Sequence, residues 1–261
     1  MRLLDGLDSL TIVLWRSATA FAFLLLLGLA MHGPRLPRAF ISMGWAGVLI
    51  ACCYTAASIS LIVALKLTTV AEVLIIMSSS PLLAALLGWL VLGERVGPVG
   101  ILAMAASSVG IGVMVSDSYA HGSIAGDLVA LGIALAQAVA VVTLRRHREV
   151  DMLPAMCLAT LIATLIVVPL AKPWPLTGQQ AGLLGFFGAG QLGLGLALFG
   201  AGAPRIPASL ASMLNVLEPV IGPIWVWLAL GEHPAPMALV GGLIVLAALM
   251  LFTAGSLRRL V

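Results

Sequence analysis

Apolar residues run along this chain in stretches of about twenty, the length a helix needs to cross a bilayer. Polar residues collect in the short gaps between the stretches. Nine spans are predicted, at about 10–30, 43–65, 70–92, 98–116, 126–145, 153–171, 180–202, 208–230 and 236–255. Proline and glycine mark most of the breaks, as in GPRLP at 33–37, KPWPLTG at 172–178 and APRIP at 203–207. The alternating strands of roughly ten residues that build a transmembrane barrel are missing from the pattern. The chain therefore reads as an all-α polytopic membrane protein with nine transmembrane helices.

One pattern occurs twice. Residues 80–98 read SPLLAALLGWLVLGERVGP and residues 218–236 read EPVIGPIWVWLALGEHPAP. A constant offset of 138 pairs Pro81 with Pro219, Trp89 with Trp227, Gly93 with Gly231, Glu94 with Glu232 and Pro98 with Pro236. Such a match implies duplication of a membrane unit, the usual plan of secondary transporters. The first unit is expected over 1–116 with four helices and the second over 126–261 with five, joined by an outer loop at 117–125. Read against its partner, the first unit lacks an opening helix, through either a late start or a truncation.

Composition agrees. Of 261 residues, 62% are hydrophobic and 9% charged, against about 25% charged in soluble domains; the mean hydropathy is +1.18. The net charge of +3 does not point to nucleic acid, because the basic residues sit at helix ends. Cys52, Cys53 and Cys157 lie in apolar runs at no metal-ligand spacing and read as packing residues. No metal site or cofactor is implied. No phosphate-binding loop of the GxxxxGK[ST] type occurs, and all four histidines lie in predicted loops, which argues against an ATPase or an intramembrane enzyme.

Nine of the thirteen basic residues fall on one side of the predicted bundle: Arg35, Arg38, Arg95, Arg145, Arg146, Arg148, Arg205, Arg258 and Arg259. The positive-inside rule makes those loops and the C-terminus cytoplasmic, in a bacterial inner membrane. The offset of 138 then joins helices of opposite orientation, so the repeats are expected to be inverted.

The paired GE-ended helices, with IPASLASMLNVLEP at 206–219 and the Tyr54 to Pro81 stretch, resemble the EamA-like branch of the drug/metabolite transporter superfamily. The resemblance covers nearly the whole chain, and Arg16 falls where that family often has an arginine. It implies ten helices in two inverted five-helix units around a central cavity. It also implies export or exchange of small metabolites, amino-acid-like or drug-like, by alternating access. The partners implied are a small-molecule substrate and the lipid bilayer, with protons as a candidate coupling ion.

Few polar side chains sit at membrane depth, and these are the candidates for substrate or proton contact. Glu218 lies mid-span, where a carboxylate costs about 2.5–3.5 kcal/mol on insertion scales; it is either a proton or cation site or a packing carboxyl beside Pro219. Asn215, three residues earlier, shares its helix face. Gln137, Gln191 and Tyr54 either line a cavity or bond between helices. Ser78 and Ser79 precede Pro81, where hydroxyls either meet substrate or satisfy backbone carbonyls. Arg16 either snorkels to the surface, pairs with a carboxylate or binds an anionic group. Pro81, Gly93, Glu94, Pro219, Gly231 and Glu232 read as architecture, not chemistry. Eight glycines crowd 182–202 and predict close helix packing or bending.

Overall fold

The computed structural model describes residues 7–77, 79–93, 98–121, 124–147, 151–171, 176–202 and 236–257. These residues are almost wholly helical. Helix α1 spans Ser9–His32, and a short 3-10 turn and α2 (Leu36–Ser42) lead to α3 (Gly44–Leu67). Then follow α4 (Val70–Met77), α5 (Ser80–Leu92), α6 (Pro98–His121), α7 (Ile124–Arg146) and α8 (Met152–Val167). Helix α9 (Gly178–Gly185) runs through a π-helical segment, Phe186–Leu194, into α10 (Gly195–Gly202), and α11 is Pro236–Leu257. Among the described residues, four helical stretches are long and apolar enough to cross a membrane: Ser9–Ser42, Gly44–Leu67, Ile124–Arg146 and Gly178–Leu198. The expected span at 208–230 lies outside the described residues.

Three boundaries differ from the sequence reading for identifiable reasons. The span expected over 70–92 is broken between α4 and α5, because Pro81 at the start of α5 has no N–H to continue the ladder. Helix α8 ends at Val167; Val168 keeps helical dihedrals and donates to the Thr164 carbonyl, but Pro169 has no N–H to continue the ladder. Most of the loop expected at 117–125 is helical, since α6 continues to His121 and α7 starts at Ile124. Asp127 in the first turn of α7 favours that early start through the helix dipole.

The repeated motif now has a physical reading. Pro81 opens α5, and Gly93 closes it at φ 66°, ψ 18°, a left-handed cap that side chains resist. Pro98 opens the next helix. The motif is helix punctuation: a proline start, a glycine stop and a second proline start. Its second copy shows the same final mark, because α11 opens at Pro236. Gly231 and Glu232, with Glu94 and Pro219, lie outside the described residues.

The chain divides into two compact units. One comprises Met1–Ile59 with Thr143–Arg205, the other Ser60–Val142 with Ile206–Val261. Each takes segments from both halves of the sequence. In the second unit α6 packs along α11, and these helices are repeat mates at the offset of 138. Their contact is made by small residues. A methyl on Gly110 would come within 2.7 Å of the Gly241 carbonyl oxygen, and the mates of these two residues, Ala248 and Ala103, share one buried cluster with Leu82 and Leu249.

In the first unit α1 packs along α8. Their buried stripes correspond at an offset of 139: Val13 with Met152, Arg16 with Ala155, Ser17 with Met156, Ala20 with Ala159, Leu24 with Ala163 and Gly28 with Val167. Each unit is thus centred on two helices from equivalent places in the chain.

Candidate functional site

Arg16 is the charged group at the centre of the first unit. It is only 7% exposed, so it does not snorkel to the surface. Its Nη2 donates to the Ser58 hydroxyl at 2.6 Å and to the Ser58 carbonyl oxygen at 3.2 Å, both on α3. Its Nε is buried without an acceptor among the described residues, and no carboxylate among them pairs with it. Burying a guanidinium carries a desolvation cost, and two neutral oxygens compensate it only in part.

The main chain that carries Arg16 is closely packed. The π segment lies against α1 where Gly188 meets the Arg16 carbonyl and Thr19, and a methyl group there would overlap both. Thr19 reinforces the contact, its hydroxyl lying within reach of the Trp15, Arg16 and Leu184 carbonyls at 2.8, 3.2 and 3.3 Å. In the same unit α8 is tied to α3 by the Thr55 hydroxyl, which donates to the Ala159 carbonyl at 2.9 Å. A π turn widens the helix and leaves its carbonyls in an altered register, a feature frequent at functional sites. Gln191 lies in that segment with its side chain exposed. Tyr54 is half-buried on α3, four residues before Ser58 and so on the same helix face. Ser58 itself escaped sequence analysis; its i, i+4 relation to Tyr54 was the available signal.

The other candidates fall in the second unit or outside the described residues. Gln137 is half-buried on α7. Ser79 is buried, and its hydroxyl donates to the Ile76 carbonyl at 2.7 Å where α4 gives way to α5, so it satisfies the broken ladder. Ser78, Asn215 and Glu218 lie outside the described residues.

Two buried carboxylates also occur in the second unit. Glu72 accepts from the Thr68 hydroxyl and from the Thr69 backbone N–H at 3.1 Å, while the Thr69 hydroxyl accepts from the Glu72 N–H at 3.2 Å. This is a capping box at the head of α4, legible as Thr-x-x-Glu in the sequence. Asp127, 1% exposed, lies 3.4 Å from the Thr68 hydroxyl. In the first unit His32, at the end of α1, meets Asp151 at 3.0 Å, and Asp151 also caps α8 by accepting from Leu153 N–H. Trp45 packs edge-on against His147, with ring centroids 4.9 Å apart.

Long apolar helices that leave many leucines and valines exposed on their outer faces define an integral membrane protein. The EamA-like transporter family matches this chain twice, over residues 1–116 and 124–254, and the chain belongs to that family, within the drug/metabolite transporter superfamily. A solved crystal structure of a protein superposes with a TM-score of 0.69 over 96% of this chain and 89% of its own length, at 20% identity. That likeness speaks for the fold alone. No curated protein matches the sequence.

Proposed function

We propose that this chain is a secondary-active transporter that exports or exchanges small metabolites, amino-acid-like or drug-like, by alternating access. The observation that carries the reading is the construction of each compact unit around a pair of repeat mates, α1 with α8 and α6 with α11. Units formed from equivalent parts of two repeats suit a rocking cycle, in which the repeats exchange roles between inward- and outward-open states. The reading places two inverted repeats over 1–116 and 126–261 in a bacterial inner membrane, with the basic loops and C-terminus cytoplasmic. Solute contacts come from Arg16, Tyr54, Gln137, Gln191, Ser78, Ser79 and Asn215, and Glu218 carries the coupling proton.

The test compares metabolites in the medium and cytosol of cells overexpressing the chain and its Glu218→Gln variant. A solute expelled by the first and retained by the second supports an exporter coupled through Glu218. An uncoupled channel predicts instead that flux is insensitive both to the proton gradient and to Glu218→Gln. If Glu218 couples protons, the variant loses gradient-driven movement in proteoliposomes and retains solute exchange; an unchanged pH dependence sinks that assignment.

A further inference from the structure

We propose that Arg16 is the contact for a singly charged carboxylate on the transported solute, an inference that rests on the transporter reading above. The guanidinium has the features of a receptor held in reserve. It is buried, its Nε has no acceptor among the described residues, and its Nη2 is held by a neutral hydroxyl and a carbonyl of Ser58. The Nε and Nη2 N–H groups form one edge of a planar fork, the edge that a carboxylate takes with two parallel hydrogen bonds. A carboxylate on that edge would satisfy the orphaned Nε and replace the Ser58 hydroxyl, an exchange of a neutral partner for a charged one.

Charge selects the class of anion. Arg16 is the one Lys or Arg within α1, α8 and the α9–α10 stretch, and none lies in α3 up to Ile59. One guanidinium neutralises one negative charge. A carboxylate leaves a neutral pair in the low-dielectric interior, whereas a phosphate monoester, at about −1.5 to −2, leaves an excess charge there. The main chain at Arg16 is held in place: Gly188 lets the π segment close directly on the Arg16 carbonyl, and the Thr19 hydroxyl lies within reach of the Arg16 and Leu184 carbonyls. The Arg16 counterpart on α8 is Ala155, so the chain carries this charge on one of the two equivalent helices only.

The test measures the melting temperature of the full chain in detergent with matched probes: acetate, butyrate and phenylacetate, their amides, and phenyl phosphate. The expected result is a rise of about 2 °C or more with at least one acid, none with its amide and less with phenyl phosphate. Arg16→Gln should abolish the response. Arg16→Lys, which keeps the charge but loses the fork, should weaken the apparent affinity about ten-fold. Ser58→Ala, which leaves the guanidinium in place, should keep the preference for acid over amide. The inference is overturned if amides act as well as acids, if phenyl phosphate acts more strongly, or if no acid acts at saturation. A response retained in Arg16→Gln, or lost in Ser58→Ala, overturns it too. Should Arg16→Gln fail to fold, an unweakened affinity in Arg16→Lys has the same force. Proteoliposome release separates the two readings. No release of any solute, with the acid response intact, removes the transporter reading alone. Release of amides as fast as acids, by wild type and Arg16→Gln alike, removes this inference alone.

Discussion

The α6–α11 pair and the α1–α8 pair occupy equivalent roles in their own units, yet they are packed with different materials. Between α6 and α11 the contact is made by glycine, alanine and branched apolar residues: Ala103, Gly110, Gly241, Val245 and Ala248. Helices in lipid gain no hydrophobic drive from meeting each other, so small residues that let backbones approach are the usual means of association. Between α1 and α8 the buried stripe includes Arg16 and Ser17 on α1, whose mates on α8 are Ala155 and Met156. The first pair is suited to holding and the second to chemistry. The difference indicates where a duplicated membrane protein can accept polarity: on one copy, beside a neighbouring helix that can satisfy it.

Substitutions can break that contrast, starting with the most severe. Gly188→Val should destabilise the first unit by about 3 kcal/mol or more, because its side chain meets backbone at Arg16 and cannot move aside. Gly182→Ala in the same stretch should be neutral or slightly stabilising, since nothing lies within 4 Å of the added methyl. Thermal unfolding of the two variants in detergent checks this; equal losses would mean that the glycine-rich segment is not packed as described. Gly110→Ala should cost about 1–3 kcal/mol through its clash with Gly241, measured the same way. A null result there would remove the close α6–α11 approach. Gly93→Ala should cost about 1–2 kcal/mol, the penalty for a side chain in the left-handed region. Thr55→Val should cost only about 0.6 kcal/mol, the average for an interhelical hydrogen bond in a membrane protein. A much larger loss would show that the α3–α8 tie anchors the whole unit.

Much of the architecture was legible because hydropathy and punctuation are local signals. Pro81, Gly93, Pro98 and Pro236 act through their own backbone, and each does in the structure what its residue type demands. What stayed hidden was rotation. A helix that is apolar all round shows no face in its sequence, so nothing in residues 10–30 revealed whether Arg16 points at lipid headgroups or at α3. The π segment was invisible for a related reason: eight glycines signal close approach, but a change in hydrogen-bond register leaves no mark on hydropathy. The Thr69–Glu72 capping box, in contrast, is readable from its Thr-x-x-Glu spacing alone.

The α6–α11 contact is also uneven along its length. Where α6 has Gly110, α11 has Ala248, and where α6 has Ala103, α11 has Gly241; the touching partners are Gly110 with Gly241. In a dimer of identical chains, one gene position fills both sides of the axis, and any enlargement is felt twice. Joining the copies in one polypeptide halves that burden. Each of the two equivalent contacts can then be fitted by itself, and here one sets glycine on glycine while the other places alanine beside alanine in one cluster.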